Sequence, residues 1–235
     1  MEDHELDLPY IWNDEERDLL GGLYPKRLST QTAHDICPML DIMDDTNIRA
    51  LQLVGSRSAE NQGYICMVPL FDSINHAQEG FENSELSGHY DDEFVMLAIN
   101  DIFEKEQVMD TFGDNSFHRL YSDYGFFPQY PRSWVFEDDH GRQINFKILK
   151  GYDGESYEYD LNPNNMPHQE DMSYLYQAIT THVASVVKTE PLGFSRKSPN
   201  VSARRFESAL AFRREYIKSF QMASEYLSSV LDSNK

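Results

Sequence analysis

Apolar residues fall along this chain in three rhythms, and the change from one to the next divides it. Near the start, "DEERDLL" follows Asn13, carries acids in its first turn and closes on Gly21-Gly22, which predicts a short helix with Asn13 as its N-cap. "TQTAHDICPMLDIM" predicts a second helical region, broken near Pro38, and "DDTNIRALQLVG" a third. From Tyr64 the apolar runs shorten. "YICMVPLF", "FVMLAIND" and "QVMDTF" are separated by polar turns, and at these lengths strands are expected rather than helices. Between the first two, "AQEGFENSELSGHYDDE" reads as a polar loop, too long for a simple hairpin turn. An aromatic, proline-punctuated stretch, "FFPQYPRSWVF", leads to two more strand-like pieces, "QINFKIL" and "SYEYDL", with "HGR" and "YDGE" as turns.

The final third is helical. "EDMSYLYQAITTHVASVVK" predicts one helix, and a longer one runs from Pro199 towards Ser229, with Ser198 as N-cap and Pro199 at its first position. Phe206, Leu210, Ile217, Phe220, Leu227 and Leu231 recur there at close to the helical period. Seven of the 20 basic residues (Arg196, Lys197, Arg204, Arg205, Arg213, Arg214 and Lys218) fall on this segment. They form either a partner-binding face or a solvated one that offsets an acidic body.

Charge changes the picture more than length does. The 235 residues suit one large domain or a medium one with a helical appendage, and 40% hydrophobic content is enough for a buried core. Twenty Lys+Arg against 40 Asp+Glu leave a net charge of −20. Such a surface repels nucleic-acid phosphate and anionic membrane and attracts cationic partners such as lysine-rich tails, unless acidity serves solubility alone. There is no apolar run near the roughly 20 residues that span a bilayer. "MEDHELDLPYIW" lacks the basic and apolar regions of a secretory signal. Cys37 and Cys66 make no disulfide framework, so an intracellular setting with reduced thiols is expected, cytoplasmic or nuclear, with a plastid left open if the N-terminus is truncated.

The familiar phosphate-loop, dinucleotide, zinc-protease and nucleophile-elbow motifs are absent. "HYDDE" at His89 to Glu93 matches no calcium loop, and no metal is expected; His34, His118, His140, His168 and His182 stand apart from one another. One stretch stands out. "VPLFDSINHAQ" starts as a strand through Val68, Leu70 and Phe71, then delivers Asp72, Asn75 and His76 together where a plain turn would suffice. An Asn-His pair at a strand end offers an amide side chain, a backbone N–H and a backbone C=O to a polar ligand, or else caps the turn that follows.

Together with "KEQVMDTFGDNSFHRLYSDYGFF", from Lys105 to Phe127, that stretch resembles the SET-domain protein methyltransferases. More narrowly it is similar to the branch containing the Rubisco large-subunit lysine methyltransferase and the actin histidine methyltransferase. In that branch a strand of type "LVPLxDxxNH" precedes a variable loop and then "GEQVxxxYGxxSNxxLLxxYGF". The matching blocks cover Val68 to Phe127, about a quarter of the chain. Weaker agreement flanks them: "LPYIWNDEERDLL" resembles the helical insert of this branch, "GSRS" at Gly55 to Ser58 the "SR" before the NH strand, and the helical C-terminus the substrate-binding appendage.

The resemblance implies an α+β fold: a partial β-rich SET core, preceded by a helical insert and followed by a helical C-terminal domain. Its segments would be 1–60 (insert), 61–132 (C-terminal half of the core) and 133–235 (mixed, then helical). It implies S-adenosylmethionine as cofactor, with Asn75 and His76 contacting it, and Arg57, Asp72, Tyr90 and Tyr124 on the acceptor side. Tyr124 would lie beside the transfer channel and is the nominated catalytic hydroxyl. Three departures accompany the match. Phe112 occupies the position of the tyrosine most associated with methyl transfer, and Phe117 that of an asparagine. The strand-rich half bearing a "GxG" turn has no counterpart before Leu8, so the expectation is a fragment or the loss of half the cofactor site. The expected function is S-adenosylmethionine-dependent protein methylation, most simply on lysine. The alternatives are a catalytically silent SET-like module that binds a basic protein partner, and a plain acidic scaffold.

Overall fold

The protein is seen in a computed structural model that describes residues 9, 12–21, 23, 47, 50, 51, 54, 57–61, 64–68, 71–78, 80–90, 93–113, 115–128, 130–150, 156–160, 169–188 and 200–233. The second predicted helix and Ser198 lie outside these residues. The chain forms two compact units: Met1–Pro25 with Ser116–Lys235, and Lys26–Asn115. Each is described by itself.

The larger unit holds the core. Its first helix, α1 (Asp14–Asp18), begins as expected at Asn13, whose side chain accepts from Glu16 N–H at 2.9 Å while the Glu16 carboxylate accepts from Asn13 N–H at 3.1 Å. This reciprocal cap satisfies two N–H groups that the helix cannot. Glu16 does more. Buried to 1% exposure, it also accepts from Ser202 N–H at 2.9 Å and Arg205 Nη1 at 2.7 Å. A buried carboxylate is tolerable only with such partners.

α2 (Phe117–Tyr124) ends on Gly125, whose φ of 77° is the left-handed cap that glycine adopts without strain. Strands β7 (Arg132–Glu137), β8 (Gln143–Lys150) and β9 (Tyr157–Asp160) form an antiparallel sheet in the order β7-β8-β9. β7 lies within the stretch read only as aromatic and proline-punctuated. The sheet packs against α3 (Gln169–Lys188) and α4 (Ala203–Ser233). In α4 the inward stripe is Ala209, Phe212, Tyr216, Phe220, Ala223 and Leu227. It shares Phe220 and Leu227 with the predicted face but is rotated from it, because Phe206, Leu210, Ile217 and Leu231 are only half buried. The helix opens at Ala203 rather than at Pro199. Asn200 and Val201 make a turn first, and Ser202 C=O accepts the first helical bond, from Phe206 N–H. Arg205 and Arg213 turn inward, leaving Arg204, Arg214 and Lys218 on the exposed side.

The smaller unit is built from ladders. β1 (Ser58–Asn61) pairs antiparallel with β2 (Tyr64–Met67). β3 (Asn75–His76) pairs in parallel with β6 (Met109–Asp110). β4 (Ser84–Tyr90) pairs antiparallel with β5 (Glu93–Ala98). β4 corrects the expectation of a loop over Ala77 to Glu93. The register shift between Ser87 and Tyr90 coincides with Gly88, as bulges favour. Asn47, Ala50, Leu51 and Val54 are helical, as predicted for that segment.

Candidate functional site

The stretch from Phe71 to Gln78 is built in three steps. A single 3₁₀ turn, Phe71–Ser73, closes with Ile74 N–H donating to Phe71 C=O at 3.0 Å. β3 then pairs Asn75 with Met109 and His76 with Asp110, and Ala77 N–H donates to Asp110 C=O at 2.9 Å. Bonding alternates along a parallel ladder, so the N–H and C=O of His76 are directed to the opposite edge of β3. Among the described residues β3 pairs only with β6.

The His76 ring has a task the sequence did not disclose. Its Nδ1 accepts from Phe112 N–H at 3.0 Å, across 36 positions of chain, and the ring lies on that of Phe112 with centroids 5.0 Å apart. A nitrogen that accepts carries no proton, so the neutral ring holds its hydrogen on Nε2. Burial lowers the His76 pKa below its ordinary value, against weaker opposing effects of the Gln78 amide and the Glu82 carboxylate. Phe112 is held from the other side as well. Asn115 Nδ2 donates to its C=O at 2.6 Å, and Gly113, at φ 88°, makes the turn between them. Asp110, 4% exposed, accepts from Thr111 N–H at 2.8 Å; burial raises its pKa, with Thr111 opposing and Glu82 and Glu85 adding.

Two asparagines were missed. Asn115 is one. Asn83 is the other: buried, it donates to Gln107 C=O at 2.8 Å, accepts from Met109 N–H at 2.8 Å, and its C=O receives Ile99 N–H at 3.0 Å. It therefore ties the end of β5 and the start of β6 to the loop after β3. Polar residues at 8–9% exposure inside polar loops were the available signal, but burial cannot be read from composition.

Asn75 is exposed and lines an open, mainly apolar cleft of about 420 Å³, walled by Val68, Phe71, Ile74, Leu86, Phe94, Met96 and Val108, with Ser73 and Gln107. That volume lies within the usual range for small-molecule sites, roughly 300–1,000 Å³. Of the expected acceptor-side residues, Arg57 is half-buried just before β1, Asp72 sits in the 3₁₀ turn and Tyr90 ends β4. The side chains of Asp72 and Tyr90 are outside the described residues. Tyr124 belongs to the other unit, as the last residue of α2, with its ring 6.1 Å from Phe126. Burial raises its pKa, helped by Asp123 and opposed by Arg119, so the phenol stays protonated at neutral pH. Phe117 is fully buried, stacked on Trp134 at 4.3 Å and on Phe127 and Phe212 at 5.7 Å. An asparagine would leave that core short of apolar surface. Among the described residues no group of three or more His, Cys, Asp or Glu is placed to hold a metal, and no helix is long and apolar enough to cross a membrane.

No family model and no curated protein matches the sequence. Solved structures do match. The chain has a mixed α+β, SET-like fold, similar across most of its length to SET-domain methyltransferase structures at low identity. The structure of Rubisco LSMT bound to sinefungin and monomethyllysine matches with a TM-score of 0.56 and 16% identity, over 96% of this chain and 68% of that one. Rubisco LSMT bound to AdoMet matches at 0.56 and 16%, over 97% and 68%. The SET domain of LSMT bound to lysine and AdoHcy matches at 0.54 and 14%, over 96% and 68%.

Proposed function

We propose that this chain binds S-adenosylmethionine at the Asn75–His76 edge and acts as a protein N-methyltransferase on lysine. One observation supports this above the rest: the exposed Asn75 amide lines an open, mainly apolar cleft of about 420 Å³, on the strand whose next residue is His76. A flat purine with a hydrogen-bonding edge suits such a site. The likeness to structures holding AdoMet, monomethyllysine and lysine supports the cofactor and acceptor classes. On this reading 1–60 is the helical insert, 61–132 the core half and 133–235 the substrate-binding-like domain.

Asn75 and the His76 backbone would hold the adenine edge of the cofactor, and Phe71 and Ile74 would cover apolar surface. When bound, it supplies an electrophilic methyl group on sulfur. The chain's own residues would do the rest by positioning. Arg57, Asp72 and Tyr90 would orient the acceptor segment. Tyr124, kept as a neutral phenol, is suited to hydrogen-bonding an amine and not to serving as a base. The amine must arrive deprotonated, which a partly desolvated channel favours.

A second reading rests on Phe112. It puts a hydrocarbon ring where the family carries a phenol, and losing one hydroxyl aimed at developing charge costs roughly 10²–10³ in rate. A SET-like module that binds a basic protein without methylating it fits that residue better. Calorimetric titration of the 235-residue chain with S-adenosylmethionine separates the readings. Binding is expected, and no heat at millimolar cofactor would sink the enzyme reading. Where it binds, Phe112→Tyr is expected to raise methyl transfer to a lysine-containing protein. An unchanged rate would remove the aligned role of that position.

A further inference from the structure

Exposed large apolar side chains are not scattered evenly. Among the described residues of the smaller unit, Phe81, Leu97, Ile99 and Phe103 lie within 23 positions of one another, with Phe81 at 65% and Phe103 at 74% exposure. Leu97 and Ile99 sit at alternate positions of β5 and its extension, so they share one face, and Leu97 stands opposite Glu85 of β4. This is the face turned from the cleft, which Leu86, Phe94 and Met96 line.

The framework beneath is fixed. Ile99 N–H and Asn100 N–H both donate to Asn83 C=O, and Asn100 Nδ2 donates to Glu82 C=O at 3.1 Å. These bonds bind the Phe81 loop to the end of β5. The turn carrying Phe103 closes on itself, with Glu106 N–H donating to Phe103 C=O and Phe103 N–H to Glu106 Oε2, both at 2.9 Å. The aromatic rings are thus presented on a hydrogen-bonded platform rather than on a loose tail. Exposed apolar residues gathered on one framework, rather than scattered singly, are what marks an interaction surface.

Charge selects the partner. Glu85, Asp101, Glu104 and Glu106 are exposed around these apolar residues, and Lys105 is the one exposed cation among the described residues 80–110. Carboxylates beside apolar anchors repel anionic lipid and nucleic acid and favour Lys or Arg flanking apolar side chains. We infer that the outer face of the β4–β5 hairpin, with Phe81 and Phe103, docks a polypeptide segment that combines apolar anchors with lysines or arginines. This surface lies outside the Asn75–His76 edge and needs neither cofactor nor turnover.

The test is fluorescence anisotropy on the full chain with three labelled peptides of equal length: alternating Leu/Lys, alternating Leu/Glu and alternating Ser/Lys. The Leu/Lys peptide is expected to bind roughly tenfold tighter than either control, with affinity falling as salt rises. Phe81→Ser with Phe103→Ser should lower that affinity by about fivefold or more, since truncating exposed aromatic anchors removes most of such a contact. Both side chains are largely solvent-facing, so the fold should survive, as circular dichroism would check. Glu85→Gln with Glu104→Gln should flatten the salt dependence. Equal binding of Leu/Lys and Ser/Lys peptides, or no effect of the phenylalanine pair, would overturn the inference. So would a wild-type dimer in sedimentation that the same pair dissolves, because the face would then serve a second copy. Binding to anionic vesicles in preference to the peptide would overturn it equally.

Discussion

At the scale of single residues, the imidazole of His76 carries the clearest pH dependence. Burial depresses its pKa below 6.5, so the folded state binds fewer protons than the unfolded one as pH falls past that value. The stability associated with neutral His76 is therefore fully present above about 6.5 and is lost as pH falls through the depressed folded value. Protonation also fills the Nδ1 lone pair that receives Phe112 N–H, leaving two donors face to face. The protection factor of the Phe112 amide, its exchange rate relative to the free-peptide rate at the same pH, is expected to fall on acidification below 6.5, and His76→Gln, whose amide oxygen can still accept, should flatten that profile. A Phe112 amide equally protected at acidic and neutral pH would show that the bond does not hold the turn. Asn75 and His76 stood out in the sequence because a motif marks them. The clamp on Phe112 was not, because its donors and acceptors are brought together by ladder pairing between distant segments, which local pattern does not encode.

At the scale of elements, α4 organises the larger unit through one residue above others. Phe220, fully buried, lies within 4.5 to 5.6 Å, centroid to centroid, of Tyr216, Phe146, His182, Phe136 and Trp134. Phe220→Ala should destabilise this unit by about 3–5 kcal/mol, as removal of a buried ring generally does. Urea melts followed by tryptophan fluorescence, with Trp134 beside the lost ring, would measure it; a loss under about 1 kcal/mol would mean the site collapses to fill the space. α1, α3, α4 and the strands β2, β5, β6, β8 and β9 were legible from period and run length, and the Asn13 cap from its residues; α2 and β1 were not. β4 was not, because Glu85, Ser87 and Gly88 read as loop chemistry and only pairing with β5 makes them a strand. The rotation of the α4 face had a similar cause. Ala209 and Ala223 are small, so a pattern that weights large apolar residues passes over the positions packed most closely.

At the scale of the molecule, the two units differ in how they are held. Among the described residues nineteen form the core cluster, all from the larger unit, and in the smaller unit Leu51 and Ala77 are the buried hydrophobics. The described ladders of the smaller unit are two-stranded, and such ladders are marginal alone. Hydrogen exchange should therefore protect α3, α4, β7 and β8 far more than β1 to β6, and the smaller unit should open at lower denaturant. Uniform protection would contradict this division. The contacts of Glu16 have a consequence in time as well as in space. They join a helix made near the start of the chain to residues 202 and 205, with the whole smaller unit encoded between them. During synthesis Trp12, Leu19 and Leu20 must wait, exposed, until α4 has left the ribosome. The larger unit thus closes only after the smaller one has been made, and Trp12, Leu19 and Leu20 are the residues most in need of shelter until then.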